Sequence, residues 1–122
     1  MAAQILYGRM NNKEISFAPF DETINLTDYL KKVCSAYFID DNFLEDGEEL
    51  TYPVVYIDRI SSLLKVLDQS EDRLWMDLKE TRGIEKKTDL LSNLKDVALL
   101  KNTIIKMLMQ DCPNSEKLLV LI

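Results

Sequence analysis

The stretch Gln4-Ile5-Leu6-Tyr7-Gly8-Arg9-Met10-Asn11-Asn12-Lys13-Glu14-Ile15-Ser16-Phe17 decides the fold class, because it reads as two strands joined by a tight turn. Gln4–Met10 and Lys13–Phe17 are strand-like, and Asn11-Asn12 supplies two residues that tolerate positive φ, as a two-residue primed turn requires. Alternation places Ile5 and Tyr7 on one face, and likewise Ile15 and Phe17. Pro19 and Asp21 then break the pattern.

Beyond that hairpin, Thr27 is suited to cap a short helix running through Tyr29, Leu30, Val33 and Tyr37. The acidic residues 40–49, with Gly47, read as a loop. Tyr52–Ile57 is β-branched and aromatic and reads as a strand, with Pro53 near its start or on an edge. From Arg59 the apolar spacing turns helical, with Ile60, Leu63, Leu64 and Leu67 in step. Ser70 is expected to cap a second helix carrying Leu74, Trp75 and Leu78 and ending near Gly83. Thr88 is expected to cap a third, through Leu91, Leu94, Ala98, Ile105 and Leu108, stopped by Asp111-Cys112-Pro113-Asn114. Leu118–Ile122 is an apolar tail, a final strand or a helix end. The expected architecture is one α+β domain over residues 1–122: N-terminal hairpin, short helix, further strand, three-helix C-terminal portion and possible terminal strand. Both chain ends would contribute to the sheet.

At 122 residues, 47% apolar and 30% charged, the chain has the composition of a single globular domain. The opening residues lack an apolar core behind a basic start, so no secretory leader is expected. The longest apolar runs are far too short to span a bilayer. A cytoplasmic setting with Cys34 and Cys112 reduced follows as the expectation.

The net charge of −6 is concentrated in one place. Residues 33–58 hold Asp40, Asp41, Glu45, Asp46, Glu48, Glu49 and Asp58 with no Lys or Arg, a local charge of −7. The same segment holds Tyr37, Phe38, Phe43, Tyr52 and Tyr56, half of the ten aromatics. Repulsion within such a segment costs folding free energy unless solvent, a cation or a basic partner offsets it. The calcium-loop pattern fails in both registers: from Asp40 the sixth position is Glu45 and the twelfth Thr51, and from Asp41 the sixth is Asp46.

Several chemistries lack their residues. There is no histidine, which removes imidazole catalysis and His-ligated zinc. Gly8, Gly47 and Gly83 are too far apart for a phosphate-cradling loop, so no cofactor is expected. Acidic-x-basic pairs at Glu71/Arg73, Asp77/Lys79, Glu80/Arg82 and Glu85/Lys87 suit a metal-dependent nuclease, but surface helices favour mixed charge anyway. A carboxylate-dependent enzyme is therefore a minor alternative. Lys31-Lys32 and Lys86-Lys87 are isolated pairs in an acidic chain, which disfavours direct nucleic-acid binding. Trp75 reads as a core anchor beside Leu74 and Leu78, Met107 and Met109 as filling of a core or helix contact, and Cys34 as a small buried hydrophobe.

Two functions fit. One is a non-enzymatic inhibitor or immunity-type neutraliser, whose acidic segment captures a basic protein surface through Asp40, Asp41, Glu45, Asp46, Glu48 and Glu49, with Phe43 and Tyr52 as apolar anchors. The other is a structural or adaptor subunit of a larger assembly, such as a viral or phage particle, with homo-oligomers formed through the terminal strands.

Overall fold

The computed structural model describes residues 3–122, with the side chain of Phe20 left aside. Strands β1 (Gln4–Asn11) and β2 (Glu14–Phe17) form the expected antiparallel hairpin. Its turn falls one residue later than the Asn-Asn pair suggests. Asn11 pairs with Glu14, and Asn12 and Lys13 take the positive φ values of 53° and 69°. A short strand β3 (Ile24–Asn25) lies against the start of β1. Helix α1 (Asp28–Cys34) begins as the sequence implies, with Thr27 Oγ1 accepting the Leu30 N–H at 3.3 Å. A 3-10 turn, Ser35–Tyr37, extends it.

Residues 40–49 are not a loop. They lie in a second antiparallel hairpin, β4 (Ile39–Glu45) and β5 (Glu48–Tyr56), closed by Asp46-Gly47 at φ 50° and 82°. Asp-Gly at positive φ is the strongest two-residue hairpin signal, and it outweighs the poor strand propensity of the flanking acids. Pro53 costs no hydrogen bond towards the next strand, which pairs with β5 only from Val54 onward.

The expected three-helix C-terminal portion is two long helices, α2 (Ile57–Glu80) and α3 (Ile84–Leu108). Ser70 sits inside α2 rather than capping a new helix. Thr88 sits inside α3, where its hydroxyl donates to Ile84 O at 2.8 Å. A cap-type residue in mid-helix is tolerated when its hydroxyl bonds back one turn.

The tail forms β6 (Lys117–Leu121), antiparallel to β5 on one edge and to β1 on the other. The strand order is β2-β4-β5-β6-β1-β3, and β2 also pairs with β1. Five strands therefore close into a small barrel with β3 attached outside. Closure needs β1 to turn from β6 onto β2 at Gly8, which pairs with both Leu118 and Phe17. A Cβ there would stand 2.9 Å from Ser16 O and 3.3 Å from a Val120 methyl.

Strand alternation divides the apolar residues into two cores. Leu6, Ile15, Phe43, Val54, Leu118 and Val120 fill the barrel. Ile5, Val55 and Leu119 point outward and pack under the three helices with Leu30, Leu63, Leu67, Leu100 and Ile104. Because β6 serves both cores, Lys117, Leu118, Leu119 and Val120 are buried in succession. The terminal strand thus has no open edge for a second copy, which removes the expected route to oligomers through it. Among the described residues, no helix is long and apolar enough to cross a membrane. Cys34 and Cys112 are free thiols, and Cys34 is fully buried with Sγ donating to Leu30 O.

Gly8→Ala is expected to lower stability by about 1–3 kcal/mol, since its methyl meets backbone that cannot yield. Deleting 117–122 is expected to abolish cooperative unfolding in urea altogether.

Candidate partner-binding site

The β4–β5 hairpin carries every residue of the acidic candidate set, and its pleat sorts them onto two faces. Register pairs Asp41 with Tyr52, Phe43 with Leu50 and Glu45 with Glu48 on the barrel side. Asp40, Asn42, Leu44, Glu49 and Thr51 alternate onto the other side and are all exposed.

Apart from Glu48, which is exposed at the end of the hairpin, the barrel-side residues are committed within the fold. Phe43 is 1% exposed and belongs to the barrel core, so it is not available as an apolar anchor. The expectation fails because the residue lies on a strand, facing inward, rather than on a loop. Tyr52 is half-buried, its ring edge-on to Phe17 at 5.4 Å and tilted against Phe43 at 6.4 Å. Its hydroxyl donates to Glu45 Oε2 at 2.5 Å. Tyr56 donates in the same way to Asp41 Oδ2. Asp41 also accepts the Asn42 N–H at 2.8 Å and lies 3.7 Å from Lys13 Nζ. The Tyr56 hydroxyl first, then the Asn42 amide, hold the Asp41 carboxyl below its ordinary range. Burial, followed by the Glu45 hydrogen bond and charge, pushes Tyr52 up to about 12. Burial and Asp41 push Tyr56 up as well.

The remaining carboxylates face solvent. Asp40 lies on the outer face, Asp46 in the turn, and Glu48 and Glu49 at the start of β5; all four are exposed and make no ion pair among the described residues. Across the outer face Thr51 donates to Asn42 Oδ1 at 2.7 Å, tying the two strands below this acidic tip. Strand β2 pairs with β4 only at Glu14–Leu44, so the preceding stretch of β4 has a neighbour on one side alone. Asp40 and Asp41 stand on that edge, where charge opposes strand-to-strand aggregation.

The hairpin does not form a metal cage: among the described residues no three Asp, Glu, His or Cys side chains converge to hold an ion. A cleft of about 260 Å³ lies elsewhere, between the β1–β2 hairpin and the end of α3. Both of its cations are engaged there. Arg9 bridges Glu116 at 3.2 Å, and the buried Lys117 donates to Leu108 O at 2.7 Å.

Tyr52 and Tyr56 fold with raised pKa values, so their contribution is complete below the unfolded value near 10 and is lost as pH rises through the folded values, for Tyr52 about 12. The urea midpoint is expected to fall steeply above pH 10. Tyr52→Phe is expected to flatten that limb while leaving the acid limb in place. Asp41 has the opposite sign: its contribution is present above the unfolded carboxylate value and is lost as pH falls through the lowered one. Phenolate absorbance and urea titrations across the two limbs measure both effects. Compared with protein-family models, curated proteins and solved structures, the chain matches none.

Proposed function

We propose that this chain is a non-enzymatic protein-binding module of the cytoplasm, which presents its acidic hairpin tip to a basic surface of another protein as an inhibitor or immunity-type neutraliser does. The observation that carries the reading is the division of the carboxylates. Asp41 and Glu45 are held by tyrosine hydroxyls inside the fold, while Asp40, Asp46, Glu48 and Glu49 remain exposed and unpaired among the described residues. A rigid, cross-braced hairpin presents those charges at little entropic cost on binding. Their joint field accelerates capture of a cationic partner. The binding set is thus Asp40, Asp46, Glu48 and Glu49, with Ile39 and Leu44 the exposed apolar residues beside them.

A second reading, a structural or adaptor subunit of a larger assembly, is favoured by a different observation. Trp75, Met76, Ile84 and Leu91 are exposed along α2 and α3, so apolar contact would come from the helices and not from the chain ends.

Affinity capture of the tagged chain from the cells that express it, at low and at high salt, separates the two. The first reading expects one basic partner, lost at high salt and lost to the variant Asp40→Lys/Glu48→Lys/Glu49→Lys. Association of that variant should slow at least about ten-fold, with its thermal midpoint unchanged. A partner that survives both high salt and the charge reversal overturns it.

A further inference from the structure

Helices α2 and α3 contain 24 and 25 residues, a length of about 36 Å each. Burial ends at Leu74 on α2 and begins only at Leu94 on α3, so the helical hairpin projects beyond the sheet. Trp75 is 48% exposed, Ile84 84% and Leu91 50%. Trp75 is therefore not the core anchor its neighbours suggest: Leu74 takes the buried position and the indole turns outward.

One ion-pair cluster shows which sides of the two helices meet at the solvent seam. Lys101 Nζ lies 2.5 Å from Asp68 and 3.6 Å from Glu71. Trp75 stands seven residues after Asp68 and four after Glu71, hence on the same side of α2. Ala98 and Ile105 stand three before and four after Lys101, and Leu91 and Ile84 continue that row at intervals of seven. At the other end of the seam, Leu64 and Leu108 line a shallow groove with Ile57 and Asp68. The outer face of the hairpin is thus an apolar strip crossed by a charged belt.

We propose that this face binds a second copy of the chain, forming a four-helix bundle about a dyad parallel to the hairpin axis. That rotation lays α2 of one copy antiparallel on α3 of the other, with residues of equal height opposed. The Lys101 bridges set the heights, since they place Asp68 and Glu71 level with Lys101. Leu64 then meets Ile105, and Trp75 falls between Leu91 and Ala98. Asp72 falls between Lys95 and Lys101. At the belt the charges fit this pairing, while Lys65 and Lys79 stand one heptad to either side of Asp72 and keep their ammonium groups at the edges of the strip. The outer side of α2 carries Asp68, Glu71 and Asp72 at the belt, against Lys95 and Lys101 on α3, and Lys95 has no ion pair among the described residues. An isologous contact forms each such pair twice. Two helix widths by 36 Å give a face on the order of 700 Å², near the roughly 800 Å² per partner of a stable interface.

Trp75 is the only tryptophan, so its fluorescence reports on this face alone. Light scattering and sedimentation from micromolar to near-millimolar chain are expected to show the mass doubling. Trp75 emission should move to shorter wavelength along the same isotherm. Leu91→Glu should stay monomeric with unshifted emission and an unchanged circular dichroism spectrum. Lys95→Glu should weaken the dimer at least ten-fold, and Asp72→Lys added to it should restore the dimer. That surface pair carries the test alone if Leu91→Glu fails to fold. A chain that remains monomeric throughout, including one whose Trp75 shifts only on adding an unrelated helical partner, overturns the proposal. So does a dimer that ignores Leu91→Glu, or one that ignores Lys95→Glu.

Discussion

The antiparallel pairing of Ile5–Arg9 with Lys117–Leu121 is the contact on which the rest of the structure depends. It joins the two ends of the chain at the middle of the sheet. The barrel interior lacks Leu118 and Val120 until β6 arrives, and the helical core lacks Leu119. The buried Lys117 also caps α3, because its ammonium donates to the carbonyl of Leu108, one of the acceptors that a helix C-terminus leaves unsatisfied. Neither core is complete while the last strand is missing, so the domain is expected to fold as one cooperative unit whose key contact is also its most distant in sequence.

That architecture explains how the chain accommodates seven acidic residues without a base between them. The pleat of β4 sends alternate side chains to opposite faces, which keeps like charges apart. Of the three carboxylates on the barrel side, Asp41 and Glu45 receive tyrosine hydroxyls, and Asp41 has Lys13 close by as well. Only Glu45 and Glu48, opposed across the turn, place like charges directly across the ladder, an arrangement that costs a few tenths of a kcal/mol or more. The Asp-Gly turn fixes the hairpin despite that cost.

The legible parts of the sequence were those set by period and local chemistry: the first hairpin, the Thr27 cap, the α+β class and the terminal strand. Where the structure departs from the sequence pattern, tertiary pairing, burial and side-chain facing each account for one departure. Asp40, Asp41 and Asn42 have low strand propensity, yet strand pairing to Pro53, Tyr52 and Thr51 respectively overrides it. The Asp46-Gly47 pair was the available signal, and its meaning depends on what flanks it. Ser70 and Thr88 resemble caps but lie within continuous helices, because burial of Leu67, Leu74, Leu94 and Val97 carries the helices through. Phe43 and Trp75 exchanged roles, since a one-residue difference in facing decides which ring is buried.

The acidic hairpin and the exposed helical face belong to different parts of the molecule. The hairpin is braced by the barrel core through Phe43, Tyr52 and Val54. The outer helical seam rests on the other core, through Leu67, Leu74 and Leu94. No residue is shared between these sets, so substitutions on one surface should change free energies independently of the other. Self-association through the helices would leave each copy's carboxylates exposed, and a dimer would present two acidic tips. A partner with two basic sites at matching distance would then bind with an avidity neither tip has alone. The charge layout favours this division: the acidic excess lies in residues 33–58, and residues 59–122 are nearly neutral, so the helices themselves add little repulsion between copies.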